Sequence, residues 1–581
     1  MFQQSVSVTE ILRGHAEWIG DQQAVVLVED VAEARQDALT YSQLDHDARR
    51  VAATLLERVA PGERVLLAYP SGTEFVRAFL GCLYAGIVAV PAPLPAGGNH
   101  YMKRTTGIAI DTGATTVLTG SAQLPAVEAW LEGQGWSHIT PLATDAIELA
   151  DADDWALPHI GADTPALIQY TSGTTTDPKG VVITHGNLVS NAGALWEATG
   201  AHEGVRSGGW APLYHDMGVG QLMLPLLSGG TCVLIAPMVF LKRPHVWLEL
   251  ISRYRLELSA APNFAYELCV QQTTDEQLAR LDLSGWRWAL NGAEPINLLT
   301  LEQFRAKFSA VGYRATTTCP VYGLAEATVY VSGIGEAAPA ARSVDAVLLE
   351  KDEFVPLGEA EKHADAHELV SCGPVRDYAI RIVDADSREV LPEGRIGEIW
   401  LRGNSVGSGY WRNEAESRRV FDVETACGDG GYVRTGDLGV LYEDELYVTG
   451  RIAETLEVGG RRFYPHHLER EVAALLPKAV AVGAAIKVGG PVGSVVLVQE
   501  LRGRYGRERL AEIAEQIRAC LHRRLGSALG GVVLVRRGAV RRTTSGKVRR
   551  VEMRELFLDG ALEPLYSDLS PAADPAAPLI A

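Results

Sequence analysis

Over most of its first 450 residues the chain alternates short apolar runs of strand character with longer segments of helical period. That alternation restricts it to an α/β fold with substantial parallel sheet. The runs at 64–68, 115–119 and 231–236 read as strands, and 71–82 reads as the helix that follows the first of them. Farther on, 397–402 and 445–449 are separated by short turns and read as antiparallel structure. A chain of 581 residues exceeds one ordinary core, so at least two domains are expected. The boundary is placed between 453 and 454, where the charge changes sign. Residues 454–558 hold 20 Lys and Arg against 10 Asp and Glu in a chain whose net charge is −19. The expected architecture is a large N-terminal domain, 1–453, of parallel and mixed sheets with helices and a β-barrel-like part, followed by a small α+β module, 454–558. The stretch 559–581, rich in Ala, Pro and Asp, reads as a disordered tail.

Several classes are excluded. The seven cysteines lie far apart and form no Cys-x-x-Cys pair, which argues against a disulfide framework or a zinc site and for a reducing cytoplasm. Residues 1–10 are polar and carry no apolar leader segment, and the apolar run 79–90 is too short to span a bilayer. A basic module beside an acidic body implies an anionic partner. Without zinc-finger spacing, a helix-turn-helix signal or a stacking-aromatic cluster, a phosphate-bearing cofactor or an acidic protein fits better than nucleic acid, and a solvated basic surface without a partner is the alternative.

Between a buried-strand pattern at 166–170 and a second apolar run at 181–184 lies Thr171-Ser-Gly-Thr-Thr-Thr-Asp-Pro-Lys-Gly180. Its hydroxyls and backbone N–H groups can wrap phosphate oxygens, glycine permits close approach, and Lys179 adds a point charge. The loop is not a Walker A sequence, because Gly-x-x-x-x-Gly-Lys-[Ser/Thr] is absent.

Tyr170 through Gly180 resembles the signature of the adenylate-forming superfamily of acyl-CoA synthetases, luciferases and peptide-synthetase adenylation domains. Asn291-Gly-Ala-Glu-Pro295, Tyr322-Gly-Leu-Ala-Glu-Ala-Thr328, Tyr432-Val-Arg-Thr-Gly-Asp437, Gly450-Arg451 and Thr544-Ser-Gly-Lys547 follow in the superfamily's order, so the resemblance covers residues 8–558. It implies an enzyme that uses ATP and Mg²⁺ to convert a carboxylic acid into its acyl-adenylate. Lys547, Glu326 and Thr171 become the catalytic candidates, with Lys547 bridging carboxylate and α-phosphate. Thr171, Ser172, Gly173, Thr174, Thr175 and Lys179 would hold the phosphates, and Glu326 and Thr174 the metal ion. Asn291, Gly292, Ala293, Tyr322 and Gly323 would wall the adenine, while Asp437 would take both ribose hydroxyls beside Arg451. Glu454 would mark a hinge about which a mobile C-terminal module turns after adenylation; relatives usually have Gly-Arg-x-Lys-Asp here, so Ala453 and Glu454 depart from the pattern.

Two stretches, 210–218 around His215 and 259–269 around Phe264, resemble the fatty acyl-AMP ligases, and both residues become candidates to line the acyl pocket. Extra sequence at 344–368 lies where those ligases carry an insertion linked to refusal of coenzyme A. Lys179 follows the acyl-CoA synthetase habit instead. The resemblance implies a fatty acid substrate and, as acceptor, an acidic acyl carrier protein in trans, since the chain has no Asp-Ser-Leu carrier motif. An acyl-CoA synthetase or an inactive scaffolding homologue is the alternative. Three further signals are set aside: Gly403-Asn-Ser-Val-Gly407 as a chance nucleophile pattern, His363 with His367 as a surface pair rather than metal ligands, and His466-His467 as non-catalytic.

Overall fold

The computed structural model describes residues 7–96, 98–171, 179–335, 337–361, 366–489, 493–543, 546–571 and 573. Two sheets built mainly from parallel strands dominate the N-terminal part. One has the order Thr318–Pro320, Trp288–Asn291, Leu258–Ala261, Arg206–Gly209, Thr231–Leu234, Gln23–Asp30, Arg35–Thr40, antiparallel only in its last pair. The other runs Thr140–Ala143, Thr116–Thr119, Arg64–Leu67, Val88–Pro91, Pro165–Tyr170, Gly180–Thr184 and again closes on an antiparallel pair. Strands such as Val88–Pro91 and Thr116–Thr119 are buried on both faces, which is why they read as continuous apolar runs. One core joins the sheets: Val25, Cys232 and Leu234 pack in the same cluster as Leu67, Ala89 and Leu167, with the helices Tyr41–Leu56 and Thr73–Tyr84 between.

The antiparallel part is a four-stranded sheet, Ala379–Val383, Gly397–Arg402, Val433–Tyr442 and Glu445–Arg451. It carries the extra segment. Strands Ala341–Asp345 and Ala366–Val370 pair, and Val344, Leu349, Phe354 and Leu369 bury against Leu438, Val440 and Tyr447.

Past the one-turn helix Ile452–Glu454, residues from 456 onward build a core of their own, including Val472, Leu497, Ile517 and Leu534. Its sheet has the order Val480–Val488, Ser494–Leu501, Leu529–Val535, Pro564–Leu569. A disordered tail was expected over 559–581; the last strand corrects that for residues 564–569, while 572 and 574–581 lie outside the described residues. Pro564–Leu569 pairs antiparallel with Leu529–Val535, and Leu565 and Tyr566 pack on the core, so two apolar side chains outweigh the polar composition around them. Among the described residues no helix is long and apolar enough to cross a membrane, and all seven cysteines are free.

A second correction concerns His367, expected on the surface. Its ring lies 4.2 Å from that of His467 between centroids, tilted by 39°, and it accepts a hydrogen bond from Arg524 at 2.9 Å. The extra segment meets the C-terminal domain here, so the contact arises only in the folded chain. His363 lies outside the described residues.

Candidate active site between the two domains

Parallel sheets leave a crevice outside the carboxyl ends of their strands, and ligands gather there. Thr171, Trp210 and Asn291 stand at or next to the carboxyl ends of Pro165–Tyr170, Arg206–Gly209 and Trp288–Asn291. The two sheets are tied at this level by Gln169, whose amide donates to the Tyr214 carbonyl at 3.0 Å. Strand Gly180–Thr184 leads out of the phosphate loop and ends on a cap: Thr184 accepts from the Asn187 N–H and starts helix His185–Thr199. Gly180 must lack a side chain, since a Cβ there would lie 2.5 Å from Ile168 and 2.8 Å from the Tyr170 ring. Ser172, Gly173, Thr174 and Thr175 lie outside the described residues; Thr171 and Lys179 flank them, with the Thr171 N–H donating to the Lys179 carbonyl at 3.1 Å.

Asp437 and Arg451 face each other across two antiparallel strands. The carboxylate, 4 % exposed, accepts from Arg451 Nε at 2.7 Å on one oxygen and from the Tyr322 hydroxyl at 2.8 Å on the other. Asp437 holds the Arg451 guanidinium above even the usual arginine range. Gly323, after Tyr322, has no room for a Cβ, which would meet the Val329 carbonyl oxygen at 1.8 Å. Asn291 is fully buried and its Oδ1 has no partner among the described residues. A buried acceptor left open costs free energy, and an adenine amino group is a donor that would satisfy it. Ala293, two residues on, adopts φ 65°, which turns the segment away from the strand axis.

Lys547 reaches this cleft from the C-terminal domain. Its N–H donates to Thr543 Oγ1 at 3.1 Å and its carbonyl accepts from the Thr543 N–H at 2.7 Å. Burial, with Arg451 adding to it, pulls the ammonium below the usual lysine range, while Asp437, Asp216 and Glu454 pull the other way. Gly546 sits against Phe264: a Cβ there would lie 3.1 Å from the ring. Phe264 in turn meets Trp210 edge-on at 6.0 Å, and Trp210 stacks on Phe240 at 4.0 Å. His215 is buried, and desolvation, then Arg104 and Lys547, lower it to about 3, so its imidazole is neutral.

Glu326 follows the Tyr322 turn. Burial raises its carboxyl, and the Tyr410 hydroxyl, donating at 2.7 Å, opposes that rise. Lys179 pairs with Glu416 at 2.6 Å and its ammonium lies 5.4 Å from the Tyr410 ring centroid. At the expected domain boundary, Glu454 pairs with Arg550 at 2.8 Å and the same guanidinium reaches Glu469 at 2.7 Å. The charge and donor set fits a nucleotide: Lys547 and Arg451 for phosphate and ribose, Asn291 for the base, and Glu326 as an oxygen donor of the kind magnesium takes.

A family model described as AMP-binding enzyme matches residues 16–411. The chain belongs to the AMP-binding enzyme family. Among its relatives in that family, the medium-chain-fatty-acid acyl-carrier-protein ligase JamA of Moorena producens is 38% identical over 545 residues, covering 91% of this chain and 92% of the relative. The 4-hydroxyphenylalkanoate adenylyltransferase of Mycobacterium tuberculosis is 36% identical over 546 residues, 90% of this chain and 86% of that protein. A solved structure from a study of fatty acyl-adenylate ligases of E. coli and L. pneumophila superposes with a TM-score of 0.87 at 30% identity, covering 97% of this chain and 99% of the other.

Some charged residues around Lys547 and His215 escape sequence reading. Asp216 and Glu294 lie inside the stretches that carry the resemblance without being singled out. Asp216 is raised by burial and lowered by the Met217 N–H, Lys547, Arg451 and Arg104. Glu294 accepts from the Phe264 N–H at 2.6 Å and is pushed by burial to about 7. Arg104 gives no sequence signal at all, being one arginine on an unremarkable helix. His466 and His467, set aside as non-catalytic, lie beside the extra segment, with ring centroids 4.3 Å apart.

Proposed function

We propose that this enzyme activates a fatty acid with ATP and Mg²⁺ as acyl-AMP and passes the acyl group to the phosphopantetheine thiol of an acidic acyl carrier protein in trans. The observation that carries the first half is Lys547 set beside the Asp437–Arg451–Tyr322 cluster. In that half-reaction a carboxylate oxygen bonds to the α-phosphorus and the bond to pyrophosphate breaks. Charge builds on phosphate oxygens already anionic, and preorganised cations are the largest means of stabilising it. Lys547 is the cation for carboxylate and α-phosphate, Asp437 the acceptor for ribose hydroxyls, and Asn291 the acceptor for the base. Glu326 would hold Mg²⁺, which would supply charge neutralisation on the phosphates.

Trp210, Phe240 and Phe264 supply an apolar wall next to the reacting carboxyl, suited to an acyl chain that gains about 0.8 kcal/mol per buried methylene. For the acceptor, the names of JamA and of a second acyl-carrier-protein ligase, TtuA of Teredinibacter turnerae, 32% identical over 611 residues, support a carrier protein. The basic charge of residues 454–558 suits an acidic one.

The test supplies ATP, Mg²⁺ and labelled fatty acids of graded length to the purified protein, with either holo carrier protein or coenzyme A. Acyl-AMP that discharges onto the carrier and not onto coenzyme A supports the proposal. Efficient acyl-CoA formation overturns the second half of it, and absence of acyl-AMP overturns the whole.

A further inference from the structure

Arg104 projects from helix Asn99–Thr112 toward the entry of the phosphate loop. Its Nη2 donates to two consecutive carbonyls, Tyr170 at 3.3 Å and Thr171 at 3.2 Å, where strand Pro165–Tyr170 gives way to the loop. Its Nε is shielded from solvent and has no partner among the described residues. No carboxylate lies in an ion pair with it among the described residues. Among the described residues Asp216 is the carboxylate that acts on its charge, and Asp216 also answers to Lys547 and Arg451. Burying a guanidinium on neutral carbonyls with a donor left open is costly. Such an arrangement is held for an anion that arrives later, and the planar fork of arginine suits main-chain oxygens on one edge while leaving another edge for phosphate.

We propose that Arg104 is a positioning residue for adenylation: it fixes the Tyr170–Thr171 entry to the phosphate loop and adds a positive charge beside Asp216 for the nucleotide phosphates. This rests on the adenylation reading above. The same helix also receives the docked C-terminal domain, since Arg549 lies 3.4 Å from His100 Nδ1, one turn before Arg104. Arg104 therefore stands on the helix that meets the domain carrying Lys547, and the role assigned to it is in adenylation rather than in transfer of an acyl group already activated.

The experiment compares Arg104→Met and Arg104→Lys with the parent in ATP–pyrophosphate exchange, in acyl transfer from chemically made acyl-AMP to holo carrier protein, and in thermal unfolding. Loss of charged hydrogen bonds predicts a roughly tenfold to hundredfold fall in kcat/KM for ATP in the Met variant. The Lys variant keeps the charge without the fork, so KM for ATP recovers while kcat stays low. Transfer from supplied acyl-AMP stays within about twofold in both. Exchange unchanged by Arg104→Met overturns the proposal, and so does an equal loss in both half-reactions, which marks a merely structural role. A parent protein without exchange activity instead defeats the adenylation reading itself.

Discussion

Arg524 of the C-terminal domain donates to Glu350 of the extra segment at 2.8 Å, and Arg461 reaches the other oxygen of the same carboxylate with its Nε at 2.8 Å. Glu350 is only 3 % exposed, so the two guanidinium groups supply the charge that water cannot. Asp352 and Arg462 form a second pair beside it at 2.7 Å. The extra segment, anchored by Phe354 and Leu369 on the antiparallel sheet, thus grips the C-terminal domain through ionic contacts on its far side.

Glu350→Gln removes the charge and leaves two arginines facing a neutral amide. Breaking a buried pair this way costs about 3–5 kcal/mol. The expected outcome is a lower unfolding midpoint and faster proteolytic cleavage near residues 452–455. Unchanged cleavage means that the pair does not hold the domain in place.

The histidines at the same junction predict a pH dependence. Burial first, then Arg524 and Arg470, hold His367 at about 3. His466 and His467 lie well below the ordinary value for the same first reason, with Arg470 and neighbouring histidines adding to it. Undocking returns His367 to water and removes it from His466 and His467, so their values move back toward the ordinary histidine range. The undocked state therefore binds more protons once pH falls into that range, and docking weakens as pH falls from about 6.5 toward 3, with full strength above it. Glu350, Glu469 and Glu471 face the cluster through Arg524 and Arg550 and temper the loss. Cleavage at the domain boundary should accelerate at about pH 5.5 relative to pH 7.5, and His367→Phe should flatten that difference; a pH-independent rate contradicts it.

Asp437→Ala strands Arg451 and the Tyr322 hydroxyl without their shared acceptor. Removing one member of a buried charged pair costs 2–5 kcal/mol or so, and kcat/KM for ATP should fall by about a hundredfold or more. Retention within about threefold in pyrophosphate exchange contradicts the ribose role of Asp437.

What the sequence disclosed and what it hid divide along physical lines. The parallel strands were legible because burial on both faces writes an unbroken apolar run, as in 64–68 and 231–236. The site motifs were legible where backbone geometry demands one residue type, as at Gly180 and Gly323. Contacts between charged side chains far apart in the chain leave no such trace. Glu350 and Arg524 are ordinary surface residues in sequence and become partners only where the extra segment meets the C-terminal domain, and Arg104 finds the Tyr170 and Thr171 carbonyls only once its helix packs on the strand. Strand Pro564–Leu569 was hidden for a related reason: an edge strand needs few apolar residues when its neighbour already has a core behind it.

Lys547→Ala gives the most direct test that one site, shared by two domains, performs adenylation. Burst-phase pyrophosphate release with ATP, Mg²⁺ and fatty acid should drop by about a hundredfold or more, while ATP still binds and acyl transfer from supplied acyl-AMP persists. Pyrophosphate release at the parent rate contradicts the account.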